Sequence, residues 1–175
     1  MVIRFTGTKE TKLRKMKRTE NIASRLREVF LNGKWVANTN YKEQLDEVDL
    51  TIANKTVFGL NTIAVLTFHV NYYLAGLLDA FRTGELTISD KFSFDAPALN
   101  SEEDWRERAE LLLDKAGRFA NEVERMDDAL LDQPFIDARY GMMHRNLEAV
   151  LEHSYYHLGQ IVIIKKLLTA QREQA

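Results

Sequence analysis

The sequence predicts an all-α protein, and within that class a four-helix bundle. Apolar residues recur at helical spacing over several long stretches, and little of the chain alternates in the manner of a strand. Only two prolines occur, Pro97 and Pro134, and both fall in stretches that read as connections, so the long helices run uninterrupted. Helices of this kind bury their apolar stripes against one another, and a bundle is the simplest way to do so.

The elements follow in order. The first helix is predicted over residues 20–31, where Ile22, Leu26, Val29 and Phe30 share a face and Gly33 follows as a stop. Residues 35–40 read as a loop, and residues 41–53 as a weakly periodic helical stretch. A second long helix starts near Asn61, a good N-cap, and runs to Arg82 with Gly84 just beyond. Residues 85–100 form a connection with a short extended piece over 86–94. Ser101, with Asp104 three residues on, is a capping box that opens the third helix. That helix reaches Met126 and buries Leu112, Leu113, Ala116, Phe119, Ala120 and Val123. Pro134 lies in the next loop, and Gly141 precedes a last helix over 142–169.

A chain of 175 residues suits one domain, and 45% hydrophobic residues are enough for a sizeable core. The absence of cysteine excludes disulfides, zinc knuckles and a thiol nucleophile. No apolar run reads as long enough to span a bilayer, and no signal peptide is evident, so a cytoplasmic protein with no membrane partner is expected. A net charge of −2 argues against a general nucleic-acid binder. That charge is uneven. Residues 1–18 carry seven basic residues against Glu10 alone, which leaves −8 for the remainder. The expected organisation is therefore a basic N-terminal arm over 1–18 and a single domain over 19–175. The arm reads as a solvated segment packed on an acidic face, or as a contact for an anionic partner.

Four histidines occur: His69, His144, His153 and His157. His153 and His157 are four residues apart on the last helix, so they share one face about 6 Å apart along the axis. That face is apolar, since His157 aligns with Val150, Ile161, Ile164 and Leu168. Two imidazoles aimed into an apolar core are costly unless their nitrogens find partners, and a shared metal ion supplies one. His69 falls on the stripe of Val65, Leu66 and Leu77 and also points inward. Three inward imidazoles leave open positions on an ion for water or substrate. His144 lies about 180° around the helix from His153 and is read as a non-ligand. Glu152 is rotated by about 100° from His153 and should miss the site.

The run from His153 through His157 and Leu158 to Gly159, Gln160 and Ile161 has the form His-x-x-x-His-x-Gly-Gln-Ile. Together with His69 on the second long helix and Trp105 after the connection, it resembles the signature of the DinB-like superfamily. The resemblance covers residues 20–170 and leaves the basic arm outside. It implies an up-down-down-up four-helix bundle, often a homodimer, that binds nickel, zinc or iron through His69, His153 and His157. It also implies a thiol-dependent S-transferase or isomerase using a low-molecular-weight thiol such as mycothiol, bacillithiol or glutathione.

The neighbouring residues read as follows. Gln160, one turn after His157, hydrogen-bonds either a ligand histidine or nearby backbone. Tyr73, one turn after His69, reaches the site with its hydroxyl or packs in the core, and Tyr155 and Tyr156 read as core or interface. Gly159 reads as a place of close helix approach. Tyr72, Phe81 and Tyr155 are candidates for an exposed apolar surface that a second copy would cover. Three functions stay open, in this order: a metal-dependent thiol transferase or hydrolase acting on a small-molecule substrate, a non-catalytic metal-binding or stress-related module, and a nucleic-acid accessory protein using the basic arm. No carboxylate is placed clearly enough in the sequence to be named a base.

Overall fold

A computed structural model describes residues 16–173. The described residues form six α-helices with no strand: α1 (Arg18–Arg27), α2 (Tyr41–Asp46), α3 (Leu50–Asn54), α4 (Ile63–Thr83), α5 (Glu102–Arg125) and α6 (Met143–Glu173). A π turn over Glu28–Asn32 continues α1, and short 3-10 turns occupy Asp90–Phe92, Asp128–Asp132 and Ala138–Tyr140. The protein is all-α, as the sequence predicts.

Side chains cap the starts of α1 to α5. Asp128, far along the chain, caps α1: its carboxylate accepts from the backbone of Arg18 and Thr19, both at 3.0 Å, and from the Thr19 hydroxyl. Asn40, Asp49 and Thr62 cap α2, α3 and α4 by accepting from the backbone three residues on. The capping box of Ser101 and Asp104 forms at α5. Gly84 ends α4 in the left-handed region at φ 78°, with its N–H on the Ala80 carbonyl at 2.8 Å.

The long helices pack mainly α4 on α5, α1 on α5, α4 on α6 and α1 on α6. The core between them is aliphatic and aromatic, with Leu26, Phe30, Leu66, Leu112, Phe119, Leu151 and Ile164 all buried. The short helices close one side. Buried Tyr41 on α2 donates to the Ser154 carbonyl of α6 at 2.9 Å, and buried Trp105 donates its indole N–H to the Val48 carbonyl at 2.7 Å.

Several expectations are corrected. The cap of α4 is Thr62, one residue after Asn61, because only the Thr62 hydroxyl reaches the Val65 amide. Residues 86–94 form no strand; they lie against α4 and turn through Asp90–Phe92. Leu113 is half-buried, one step around α5 from the core face. The weakly periodic stretch 41–53 divides into α2 and α3, since Asp49 caps a new helix there. Tyr72, Phe81 and Tyr155 are half-buried: Phe81 stacks on Phe119 at 5.6 Å, and Tyr155 donates to Glu28. Gly159 is exposed with nothing within 4 Å of a Cβ placed there, so no helix approaches it. The α4 helix is long and apolar enough to cross a membrane by length and composition alone. Its apolar character has another cause here, since α4 lies between α5 and α6 and buries Ile63, Leu66, Val70 and Leu74 in the core. The expectations for the basic arm at residues 1–15 lie outside the described residues. Arg18, counted with the arm, is the first residue of α1 and pairs with Asp132 at 2.7 Å.

Candidate metal centre

Two helices bring three histidines together. His69 sits a third of the way along α4, and His153 and His157 occupy successive turns of the α6 face packed on it. His69 and His157 are buried, and His153 is half-buried. The Nε2 of His153 lies 3.1 Å from that of His69 and 3.0 Å from that of His157.

The other ring nitrogens decide where the protons are. His69 Nδ1 lies 3.1 Å from the Ser93 carbonyl, and His157 Nδ1 lies 2.7 Å from the Gln160 side-chain oxygen. Both partners are acceptors, so each Nδ1 carries the proton and donates it. Each Nε2 is then a lone pair aimed at the centre. His153 can offer one N–H to one of these lone pairs and must leave the other facing a nitrogen with no proton between them. Protonation does not resolve this. Burial, followed by the neighbouring His157 and His69, pushes His153 down to about 4. Burial likewise lowers His69, aided by His157, and it lowers His157 against the opposing pull of Gln160. The cluster is neutral at pH 7, with more lone pairs than protons.

A cation satisfies such a donor set. Nitrogens 3.0–3.1 Å apart are spaced as two ligands about 2.1 Å from one ion at roughly a right angle. The three histidines can therefore hold a metal ion. The Nδ1–H anchors fix ring orientation as the outer hydrogen bonds of metal-bound histidines do.

Sequence reasoning missed the connection between α4 and α5. Its residues 85–100 fold back along one stripe of α4 made by His69, Tyr72, Tyr73 and Gly76. Tyr72 donates to the Ser89 carbonyl at 3.0 Å and accepts from the Ser89 amide at 3.1 Å. Tyr73 donates to Asp90 Oδ1 at 2.8 Å, and its ring stands edge-on to His69 and His153. Phe94 stacks on His69 with centroids 3.9 Å apart. Gly76 makes this contact possible, because a Cβ there would lie 2.1 Å from Ile88 Cγ2. A lone glycine inside an otherwise strong helix is the trace this approach leaves in the sequence, and it does not say what comes close.

A cavity of about 330 Å³ opens beside the cluster and reaches His153. Its walls are mostly apolar, including Val70, Leu74, Leu77, Leu86, Ile88 and Phe135, and Tyr73 and Asp90 also line it. His144 lies apart from the site and faces Glu148 at 3.5 Å. Glu152 points to solvent and pairs with Arg145 at 3.0 Å. Both sit as their helical angles predict. Compared with family models, with curated proteins and with solved structures, the chain matches none.

Proposed function

We propose that this chain is a divalent-metal protein, on a DinB-like up-down-down-up bundle, that catalyses thiol S-transfer to a small electrophile or its hydrolysis. The observation that carries this reading is the apolar cavity that opens on His153, next to three neutral imidazoles. A protein that only stores or senses a metal needs no such cavity against one of its ligands.

His69, His153 and His157 would hold the ion, and an all-imidazole set suits zinc, nickel or iron. A divalent ion so held supplies Lewis-acid chemistry, lowering the pKa of a thiol or water placed against it. Ser93 and Gln160 keep two of the rings in one tautomer. The histidines would act as ligands and not as bases, since the Nε2 atoms of His69 and His157 both face that of His153. The apolar walls bind the electrophile and keep bulk water from it. The motif of His153, His157, Gly159 and Gln160 supports the DinB-like reading, and with it a cytoplasmic homodimer.

The test is elemental analysis of protein purified from its native host, followed by conjugation assays on the metal-loaded protein. The assays pair an aryl-halide electrophile with glutathione, bacillithiol or mycothiol, and a water-only arm reads hydrolysis. The expected result is one equivalent of a divalent metal and turnover that a chelator abolishes. Metal without turnover in any arm would move the reading to the non-catalytic module. No metal at all would remove both.

A further inference from the structure

The cavity beside the histidines is uneven in its polar character. Among the described residues Asp90 is the one charged side chain that lines it, and no lysine or arginine does. The adjacent Lys91 directs its ammonium over the Phe92 ring, 4.8 Å from the centroid, and does not line the cavity. Three of the donors at its wall, on Tyr73, Asn146 and Ser154, are engaged within the protein. Tyr73 gives its hydroxyl proton to Asp90 Oδ1 at 2.8 Å. Asn146 gives its amide to the carbonyls of Tyr140 and Met142, and Ser154 gives its hydroxyl to the Val150 carbonyl. The exposed Tyr140 keeps its hydroxyl, and His153 keeps its Nδ1, the ring nitrogen that does not face the other two histidines. Asp90 Oδ2 has no hydrogen bond or ion pair among the described residues, and Tyr73 holds the carboxylate in place through the other oxygen. The wall therefore offers acceptors to a ligand and few donors.

Size restricts the ligand further. A dry cavity of about 150 Å³ holds the six carbons of benzene, so about 330 Å³ holds on the order of a dozen heavy atoms. That accommodates a small electrophile but not a whole tripeptide-sized thiol, which would have to approach from outside the cavity.

Building on the reading of this site as a metal centre, we propose that the cavity takes a small apolar molecule bearing an ammonium or other hydrogen-bond-donating end. Asp90 is the residue that selects for that end. A carboxylate or phosphate in the same place meets a like charge and no cationic partner.

The experiment uses the full chain stripped of metal, so that an ion cannot attract anions into the site. Hexylammonium, hexanol and hexanoate are titrated and followed by NMR or calorimetry. Hexylammonium is expected to bind at least about tenfold more tightly than hexanoate, with hexanol between them. Asp90→Asn should reduce that preference to less than about twofold. Ala149→Phe, filling the cavity, should weaken all three probes at least about tenfold. Hexanoate binding as tightly as hexylammonium would overturn the proposal, as would an unchanged preference in Asp90→Asn or full binding to Ala149→Phe. Metal uptake by each variant is measured separately. A preference that survives in a chain that takes up no metal rejects the metal reading alone.

Discussion

His157 and His69 present the same atom to the centre of the site, yet they are held by unlike parts of the chain. His157 is anchored within its own helix, by Gln160 three residues on. His69 is anchored by the carbonyl of Ser93, twenty-four residues away in a connection that must first fold onto α4. The chemistry of the two anchors is the same, a proton on Nδ1 given to an oxygen. Their cost differs. The first forms whenever the helix forms, whereas the second depends on Tyr72, Tyr73, Phe94 and the gap at Gly76 all being in place. One half of the site is thus built from local sequence and the other from tertiary structure.

The largest expected effect removes the half built locally. His157→Ala should abolish metal retention through gel filtration, measured by elemental analysis, while far-UV circular dichroism stays near wild type. The bundle core is aliphatic and aromatic and does not depend on the imidazole. Full retention would exclude His157 from the site. Loss of the helical signal with the metal would show that the ion is structural.

Acid should next destabilise the metal-free protein. His153 is held down at about 4, and burial also lowers His69 and His157. A histidine whose folded pKa is depressed binds fewer protons in the native chain than in the unfolded one. Stability is then fully present above the unfolded value of about 6.5 and falls as pH drops toward the folded value. The metal-free protein should show a level Tm above about pH 7 and a declining one from pH 6.5 toward 4. A Tm that is flat throughout this interval would mean the histidines are not buried as a neutral cluster.

Gln160→Leu then sharpens the comparison. It deletes the local anchor and leaves the ligand, and losses of about 10–100-fold in metal affinity are typical for such outer partners. Gln160→Glu retains the acceptor and should retain the affinity. Equal losses in both variants would show that packing at residue 160 matters and its oxygen does not.

The same division explains what was legible in the sequence. The histidine pair, His69, Gln160 and the inert angles of His144 and Glu152 all follow from helical geometry, because 3.6 residues per turn fixes which side chains share a face. The capping box at Ser101 and the stop at Gly84 are likewise local. Ser93, Asp90 and Phe94 were not legible, because residues 85–100 have no periodicity and the partners that fix them lie on α4. The run over 86–94 carries apolar residues such as Leu86, Ile88 and Phe92, which look strand-like. Leu86 and Ile88 face α4 and the cavity instead of a neighbouring strand. The exposure of Gly159 was equally hidden, since the sequence does not say which neighbour a small residue faces.

Gly76→Ala should break the tertiary half. Its Cβ would lie 3.3 Å from Ile88 Cβ as well as against Cγ2, so the branch point of the side chain has to move and not merely its tip. Overpacking of this kind costs about 1–3 kcal/mol, which exceeds or cancels the helical gain of about 1 kcal/mol for replacing glycine with alanine. The expected outcome is a variant no more stable than wild type, with weaker metal binding and faster proteolysis within residues 85–100. A stabilised variant with wild-type affinity would show that the connection does not hold His69.

The smallest effect is expected at a second helical glycine, Gly159, and its sign separates it from Gly76. Gly159 lies between His157 and Gln160 on α6, exposed, with open space where a Cβ would go. Gly159→Ala removes backbone freedom from the unfolded chain and meets nothing in the folded one, so it should stabilise by about 0.5–1 kcal/mol. Denaturant titration of the metal-free protein measures this. Metal affinity should not change, because Gln160 already fixes the His157 ring through a bond that the added methyl does not touch. A loss of stability would mean that something covers this stretch of α6 in solution. Tyr156 and Ile163 are exposed at 63% and 58% on either side of it, so a second copy of the chain is the first occupant to look for. Sedimentation of the wild type and the variant distinguishes the cases. If Gly159→Ala shifts a dimer toward monomer, the glycine is kept for an interface. If mass is unchanged and stability rises, it has no packing role, and the close approach that requires a glycine is the one at Gly76.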